Sequence, residues 1–211
     1  MPSPLFNPAN ITCQGNGTQR SLDVMSELFN HRVLMLNSEV TTATCSQLIA
    51  DLLVLEYKDP HAPVTLLISS PGGEVHAGLG LIDVMDDIAC PVNTVAFGLV
   101  ASMASVILAC GARRRAYPNS QILLHQLMTS TGVAQQSDID ILAAQTSAMR
   151  ERLDELLARR CGSTPSSIHE LTDRDCWCDA ERALELGIID EVIGIASGTD
   201  AAPCPALMQL G

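Results

Sequence analysis

Val64-Thr65-Leu66-Leu67-Ile68-Ser69 runs directly into Ser70-Pro71-Gly72-Gly73. The first part is almost wholly apolar rather than alternating, the pattern of a strand covered on both faces. Arg32–Leu36, Val92–Phe97, Gln121–His125 and Ile188–Ile195 repeat the pattern. Helical patterns lie between them, at Thr41–Lys58, Glu74–Ile88 and Ser102–Cys110. Doubly covered strands alternating with helices predict an α/β fold with a largely parallel core. Its expected body is one domain at residues 21–196, with no internal repeat. Residues 1–20 are rich in Pro, Asn, Gly and Gln and read as a flexible N-terminal arm, and 197–211 as a flexible tail.

A longer helix is predicted from Asp138 to Arg160. Ile139, Leu142, Thr146, Met149, Leu153 and Leu156 recur at steps of three and four. At 1.5 Å per residue that helix is roughly 35 Å long. Its apolar seam packs on its own domain or, the sharper reading, on another subunit. Gly132 sits in the polar stretch before it, and Cys161-Gly162 is a helix stop. Thr164-Pro165 reads as an N-cap with proline at the first helical position. Asp179 reads as the cap of a last helix that ends at Gly187.

The chain has 211 residues and a formal net charge of −12. That balance argues against nucleic acid and against anionic membranes, which need a basic footprint. Arg113-Arg114-Arg115 is the one compact basic run, read as solvated surface or as ion-pair partners. Hydrophobic residues make up 47% of the sequence, yet no apolar run approaches a membrane span. The N-terminus carries neither a basic nor a long apolar signal region, so a cytoplasmic protein is expected. The eight cysteines are scattered and form no CxxC pair. Cys176 and Cys178 with His169 fit no common zinc spacing, so the thiols read as reduced, small apolar residues.

Three segments bear on chemistry. Gly72-Gly73 at a strand end permits a turn whose N–H groups face outward, where they can hold an oxyanion. The same tetrapeptide is also an ordinary turn. Ala101-Ser102-Met103 joins a buried strand to an apolar helix, which places a hydroxyl beside the free N–H of Met103. The plainer reading is a helix cap. His125 ends an apolar strand, suited to take a proton from serine or merely to satisfy the backbone. A base of this kind needs a carboxylate to fix its tautomer. Asp173 and Asp175 are both candidates, and spacing alone does not choose between them.

Ser70-Pro71-Gly72-Gly73, Ala101-Ser102-Met103, His125-Gln126 and Asp173-Arg174-Asp175, in this order and at these intervals, resemble the proteolytic subunit of the Clp protease (ClpP). The resemblance covers about Leu28 to Val192, including Ser137-Asp138-Ile139-Asp140-Ile141 at the entry to the long helix. It implies a crotonase-like spiral of βαβ units with a protruding handle helix. It implies a serine endopeptidase that hydrolyses unfolded chain, with Ser102 as nucleophile, His125 as general base and Asp175 selected over Asp173. Oxyanion donors fall on the N–H groups of Gly73 and Met103. Asp173 and Arg174 match a pair that makes ring-to-ring contacts. Heptameric rings stacked into a tetradecamer are implied, fed by an ATPase unfoldase, with no cofactor and no metal.

Several positions depart from that pattern. Ala104 and Leu127 replace a usual glycine and proline. The segment from Ser102 to His125 is slightly short, and the stretch after His125 slightly long. Thr65, Leu67 and Asp87 stand where the family's ATPase-docking pocket is aromatic, and aromatic residues are only 3% of the chain. These departures point to a different ATPase or to a second proteolytic subunit that carries the docking surface. Two other readings are a non-catalytic structural subunit of a mixed ring and a crotonase-fold enzyme acting on acyl-thioesters. The intact Ser, His and Asp argue against the first. The second would not need a triad.

Overall fold

The computed structural model describes residues 11–15, 18–128 and 135–194, with side chains from Asp23 onward. In chain order its body contains α1 (Val24–Asn30), β3 (Val33–Leu36), α2 (Thr42–Lys58), β4 (Val64–Ser70), α3 (Val75–Asp87), β5 (Val92–Ala101) and α4 (Met103–Ala109). There follow β6 (Arg114–Ala116), β7 (Gln121–Leu124), α5 (Gln136–Cys161), α6 (Pro165–Thr172), β8 (Cys176–Cys178), α7 (Ala180–Glu185) and β9 (Glu191–Val192). Before them, β1 (Ile11–Gly15) and β2 (Thr18–Leu22) pair antiparallel as a separate ribbon. That ribbon lies in the stretch read as an arm, while residues 1–10 and the tail from 197 onward lie outside the described residues.

The main sheet is seven-stranded. It runs β3-β4-β5-β6-β9, all parallel, and β7 branches from β5 to carry the antiparallel β8. The apolar strands meet side chains on both faces, and Val64, Leu66, Ile68, Val92, Val95 and Ala96 are all buried. Parallel neighbours need helical crossovers, which α2 and α3 supply between β3, β4 and β5. Thr41 caps α2 in a reciprocal box: its side chain accepts from Thr44 N, and Thr44 Oγ1 accepts from Thr41 N at 2.9 Å. Every residue of α4 is buried, as an apolar-all-round helix must be. The fold is therefore the expected mixed α/β architecture.

The predicted C-terminal strand Ile188–Ile195 is mostly something else. Of its described residues, 188–194, only Glu191–Val192 pairs in the sheet, and Ile195 lies outside the described residues. Ile188 and Ile189 are 1% exposed, and their apolar character serves burial in a turn rather than a ladder. The long helix is slightly longer than predicted. Its seam is split, because Leu156 is buried while Ile139 remains 43% exposed. Among the described residues, no helix is long and apolar enough to cross a membrane.

The basic run holds the C-terminal elements together. Arg114 Nη1 donates to the carbonyls of Arg160 (2.8 Å) and Gly187 (2.7 Å), the ends of two helices. Its backbone N–H and Nε donate to Asp190 Oδ2 at 2.8 and 3.0 Å, and Arg113 pairs with Glu191. Burial raises the Asp190 carboxyl, but the hydrogen bonds and charge of Arg114 outweigh it and hold that group below its ordinary value. A depressed folded-state value contributes stability above the ordinary carboxylate range and loses it as pH falls through the folded value. Asp190→Asn is expected to be destabilised at neutral pH, with the gap to the wild type closing as acid is added. Urea unfolding across a pH series checks this, and a gap unchanged into strong acid contradicts it.

Candidate active site

The site lies where the sheet branches. β5 pairs with β6 over Thr94–Ala96, then leaves it and pairs with β7 over Leu99–Ala101. The change of neighbour falls at Gly98, whose φ is +62, and the register with β4 shifts between Ile68 and Ser70. Ligand sites in open α/β sheets favour such switch points, where two sets of strand ends diverge and leave a crevice.

Ser102 sits at the end of β5 with φ 56 and ψ −127, ahead of the first turn of α4. Outside glycine such a conformation costs about 1–3 kcal/mol and persists only where the surroundings over-determine it. Three contacts do so. Ser102 N donates to Leu123 O on β7 at 2.9 Å. Ser105 Oγ, fully buried, lies 3.0 Å from Val100 O and 2.8 Å from Leu123 O. Gly72 presses on the junction so closely that a Cβ there would stand 2.6 Å from Ala101 O and from Ser102 Cβ.

Gly72 and Gly73 take φ values of +89 and +148. The Gly72 N–H donates to Ser70 Oγ (3.2 Å), and its carbonyl accepts from Val40 N (2.8 Å). A Cβ on Gly73 would lie 2.2 Å from Val40 O, so the strand-end turn fits only glycine. Among the described residues, the N–H groups of Gly73 and Met103 make no backbone hydrogen bond. Gly73, Ser102, Met103 and His125 line one cavity of about 290 Å³.

His125 is half-buried, one residue past the end of β7. Its Nδ1 lies 2.7 Å from Gln126 O. A carbonyl can only accept, so Nδ1 carries the proton and a neutral ring keeps its lone pair on Nε2. That is the tautomer a base facing a hydroxyl needs. Asp175 is exposed and does not line the cavity. Among the described residues, no hydrogen bond joins Ser102 to His125 or His125 to Asp175. The antiparallel β7–β8 ladder stops at Leu124↔Cys176, one pair short of setting His125 opposite Asp175. Asp173 caps α6 and is exposed, and Arg174 is 94% exposed beside it (3.9 Å).

Several polar groups around the site were not singled out from sequence. Arg150 Nη1 donates to Gln126 Oε1 (3.1 Å), and Gln126 Nε2 donates to Asp173 O (3.2 Å). These bonds tie the residue after His125 to the loop before Asp175. Leu153, read as part of the long seam, lines the cavity instead, together with Asp154 and Thr172. Among the described residues, no three His, Cys, Asp or Glu side chains converge as metal ligands. Cys176 and Cys178 are free thiols with their sulfurs 3.6 Å apart.

A family model described as Clp protease matches residues 15–196. An ATP-dependent Clp protease proteolytic subunit from Streptococcus mutans serotype c is 39% identical over 178 residues, which covers 83% of this chain and 91% of that protein. The chain belongs to the Clp protease family and is a peptidase.

Gly72→Ala must hold alanine at a left-handed φ and push a methyl into the Ser102 junction. It is expected to cost more than about 1 kcal/mol, seen as a lower urea midpoint at unchanged slope. Gly80→Ala on α3, where an added Cβ meets nothing within 4 Å, is the control and is expected to be neutral or stabilising.

Proposed function

We propose that this member of the Clp protease family is the proteolytic subunit of an ATP-dependent chambered protease, a serine endopeptidase acting on unfolded polypeptide in the cytoplasm. The observation that carries this reading is the strained Ser102, which shares a cavity wall with His125 and with the unpaired N–H groups of Gly73 and Met103.

The reaction is acyl transfer. Ser102 Oγ attacks the peptide carbonyl while His125 Nε2 takes its proton. Gly73 and Met103 N–H groups hold the oxyanion, and His125 returns the proton to the leaving amine. Water then releases the acyl-enzyme by the reverse sequence. Asp175 orients the imidazolium once Nδ1 leaves Gln126 O for its carboxylate. Arg150, Gln126 and Asp173 link that exchange to the exposed Asp173-Arg174 pair. Contact between stacked rings at Asp173 and Arg174 therefore bears on the same loop that must bring Asp175 to His125.

Self-association is expected through the exposed half of the α5 seam, giving heptameric rings and a tetradecamer. Thr65 is buried on β4, Leu67 is half-buried and Asp87 is exposed at the end of α3. This surface lacks aromatic anchors for an ATPase loop, so a specialised unfoldase or a second proteolytic subunit is the expected partner. The outward Asp175 favours one further reading, a subunit that becomes active only within a mixed ring.

A fluorophosphonate or β-lactone is expected to label Ser102 alone. Ser102→Ala is expected to lower kcat on the order of 10⁶-fold. Native mass spectrometry is expected to give particles of seven or fourteen chains. Absence of labelling in the assembled particle removes the nucleophile, and a stable monomer removes the chamber.

A further inference from the structure

The cavity beside Ser102 has a buried charge that the acyl-transfer chemistry does not use. Asp154 lines it with its side chain 8% exposed, the most deeply buried ionisable group on that wall. Taking a carboxylate out of water is costly unless partners replace the water. Its partner is His169, whose Nδ1 lies 2.8 Å from Oδ2. That ring is 50% exposed, so solvent screens whatever charge it carries. Arg150, one turn earlier on α5, lines the same cavity, but its partners are other groups: Gln126 Oε1 (3.1 Å), His169 O (3.4 Å) and Asp173 Oδ1 (3.8 Å). Among the described residues, Asp154 Oδ1 has no hydrogen-bond partner.

Val75, Met103, Val106, Leu153 and Leu157 give the cavity an apolar side, with Arg150 and Thr172 among its polar lining. An apolar shaft with a carboxylate on its side fits a long aliphatic stem that ends in a cation. A leucine or methionine side chain fills the shaft but displaces water from Oδ1 and leaves it unpaired. Sites built to pair a buried polar group reject analogues that cannot do so.

We infer that Asp154 determines specificity at the residue on the acyl side of the scissile bond, and that it favours lysine or arginine there. The inference rests on Ser102 being the nucleophile, and the test separates the two. The assembled full-length protein is treated with three probes. One is a simple fluorophosphonate. The others are peptidyl diphenyl phosphonates, identical except for a lysine-like or a norleucine-like side chain at the reacting residue. In each diphenyl phosphonate Ser102 Oγ forms the new P–O bond as the P–OPh bond breaks, and His125 takes the serine proton and passes it to the departing phenoxide, which leaves as phenol. Norleucine keeps the four-carbon stem and lacks only the ammonium group.

The lysine probe is expected to label Ser102 at least about tenfold faster than the norleucine probe, the ratio one well-placed ion pair supplies. Asp154→Asn is expected to bring that ratio to one or below, and the ratio cancels any general loss of serine reactivity. If the variant does not fold, the wild-type ratio decides alone. Equal rates, or a faster norleucine probe, overturn the inference while Ser102 labelling by the fluorophosphonate stands. If the fluorophosphonate leaves Ser102 unlabelled, the nucleophile falls and the specificity falls with it.

Discussion

Everything at the site depends on β5 changing partners. Up to Ala96 the strand belongs to the sheet core. Past Gly98 it swings to β7, and the two halves cannot both be straight. The bend carries Ser102 out of the sheet in a conformation that costs about 1–3 kcal/mol. That strain is held from both ends. Behind it lie the buried Val100 and Ala101, and ahead lies α4, whose every residue is packed. A helix with no exposed face cannot roll to relieve the junction. Ser102 therefore stays half-buried in the cavity wall.

The imidazole side of the site is built with less constraint. β7 is only Gln121–Leu124, and its partner β8 only Cys176–Cys178. His125 lies beyond the last paired residue and bonds the carbonyl of its own neighbour. A neutral hydrogen bond of this kind contributes about 1 kcal/mol net, whereas one to a carboxylate contributes about 1.5–3. The exchange of Gln126 O for Asp175 in the proposed mechanism is thus downhill. What opposes it is the backbone path of the loop, pinned by Gln126 and Arg150 to Asp173. Ser102 is fixed by the core, whereas Asp175 stands on an exposed loop.

The sequence made the parts with long regular patterns legible. β3, β4, β5, α2 and α3 fall within a residue or a few of expectation, because doubly buried strands and capped helices leave unambiguous apolar runs. β6 and β8 are too short for any period to register, and α1 has no buried residue to reveal it. The β1–β2 ribbon carried a hint in Asn16-Gly17, a dipeptide that favours hairpins, amid otherwise polar residues. Ser102 and His125 stood out because each ends an apolar element. Asp173 and Asp175 could not be separated by spacing, because both lie in one short exposed loop and no regular pattern runs through it. Asp154 sat hidden beside Leu153 on a helix read only for its apolar seam. A polar residue on an inward face looks, in one dimension, like a polar residue on an outward one.

Whether charge in the cavity or charge on the whole chain governs substrate choice is a question of distance. The net charge of −12 draws cationic chain, but free ions screen it over about 8 Å at physiological salt. Such a field raises local concentration without distinguishing one side chain from the next along a threaded polypeptide. Asp154 acts at contact range, its side chain 8% exposed in the cavity wall. There the same unit charge interacts several-fold more strongly than at an exposed site. It also acts only on the side chain lodged beside Ser102. A buried carboxylate retained at a folding cost, with one of its oxygens lacking a protein partner, discriminates at the cleaved bond in a way the surface charges cannot.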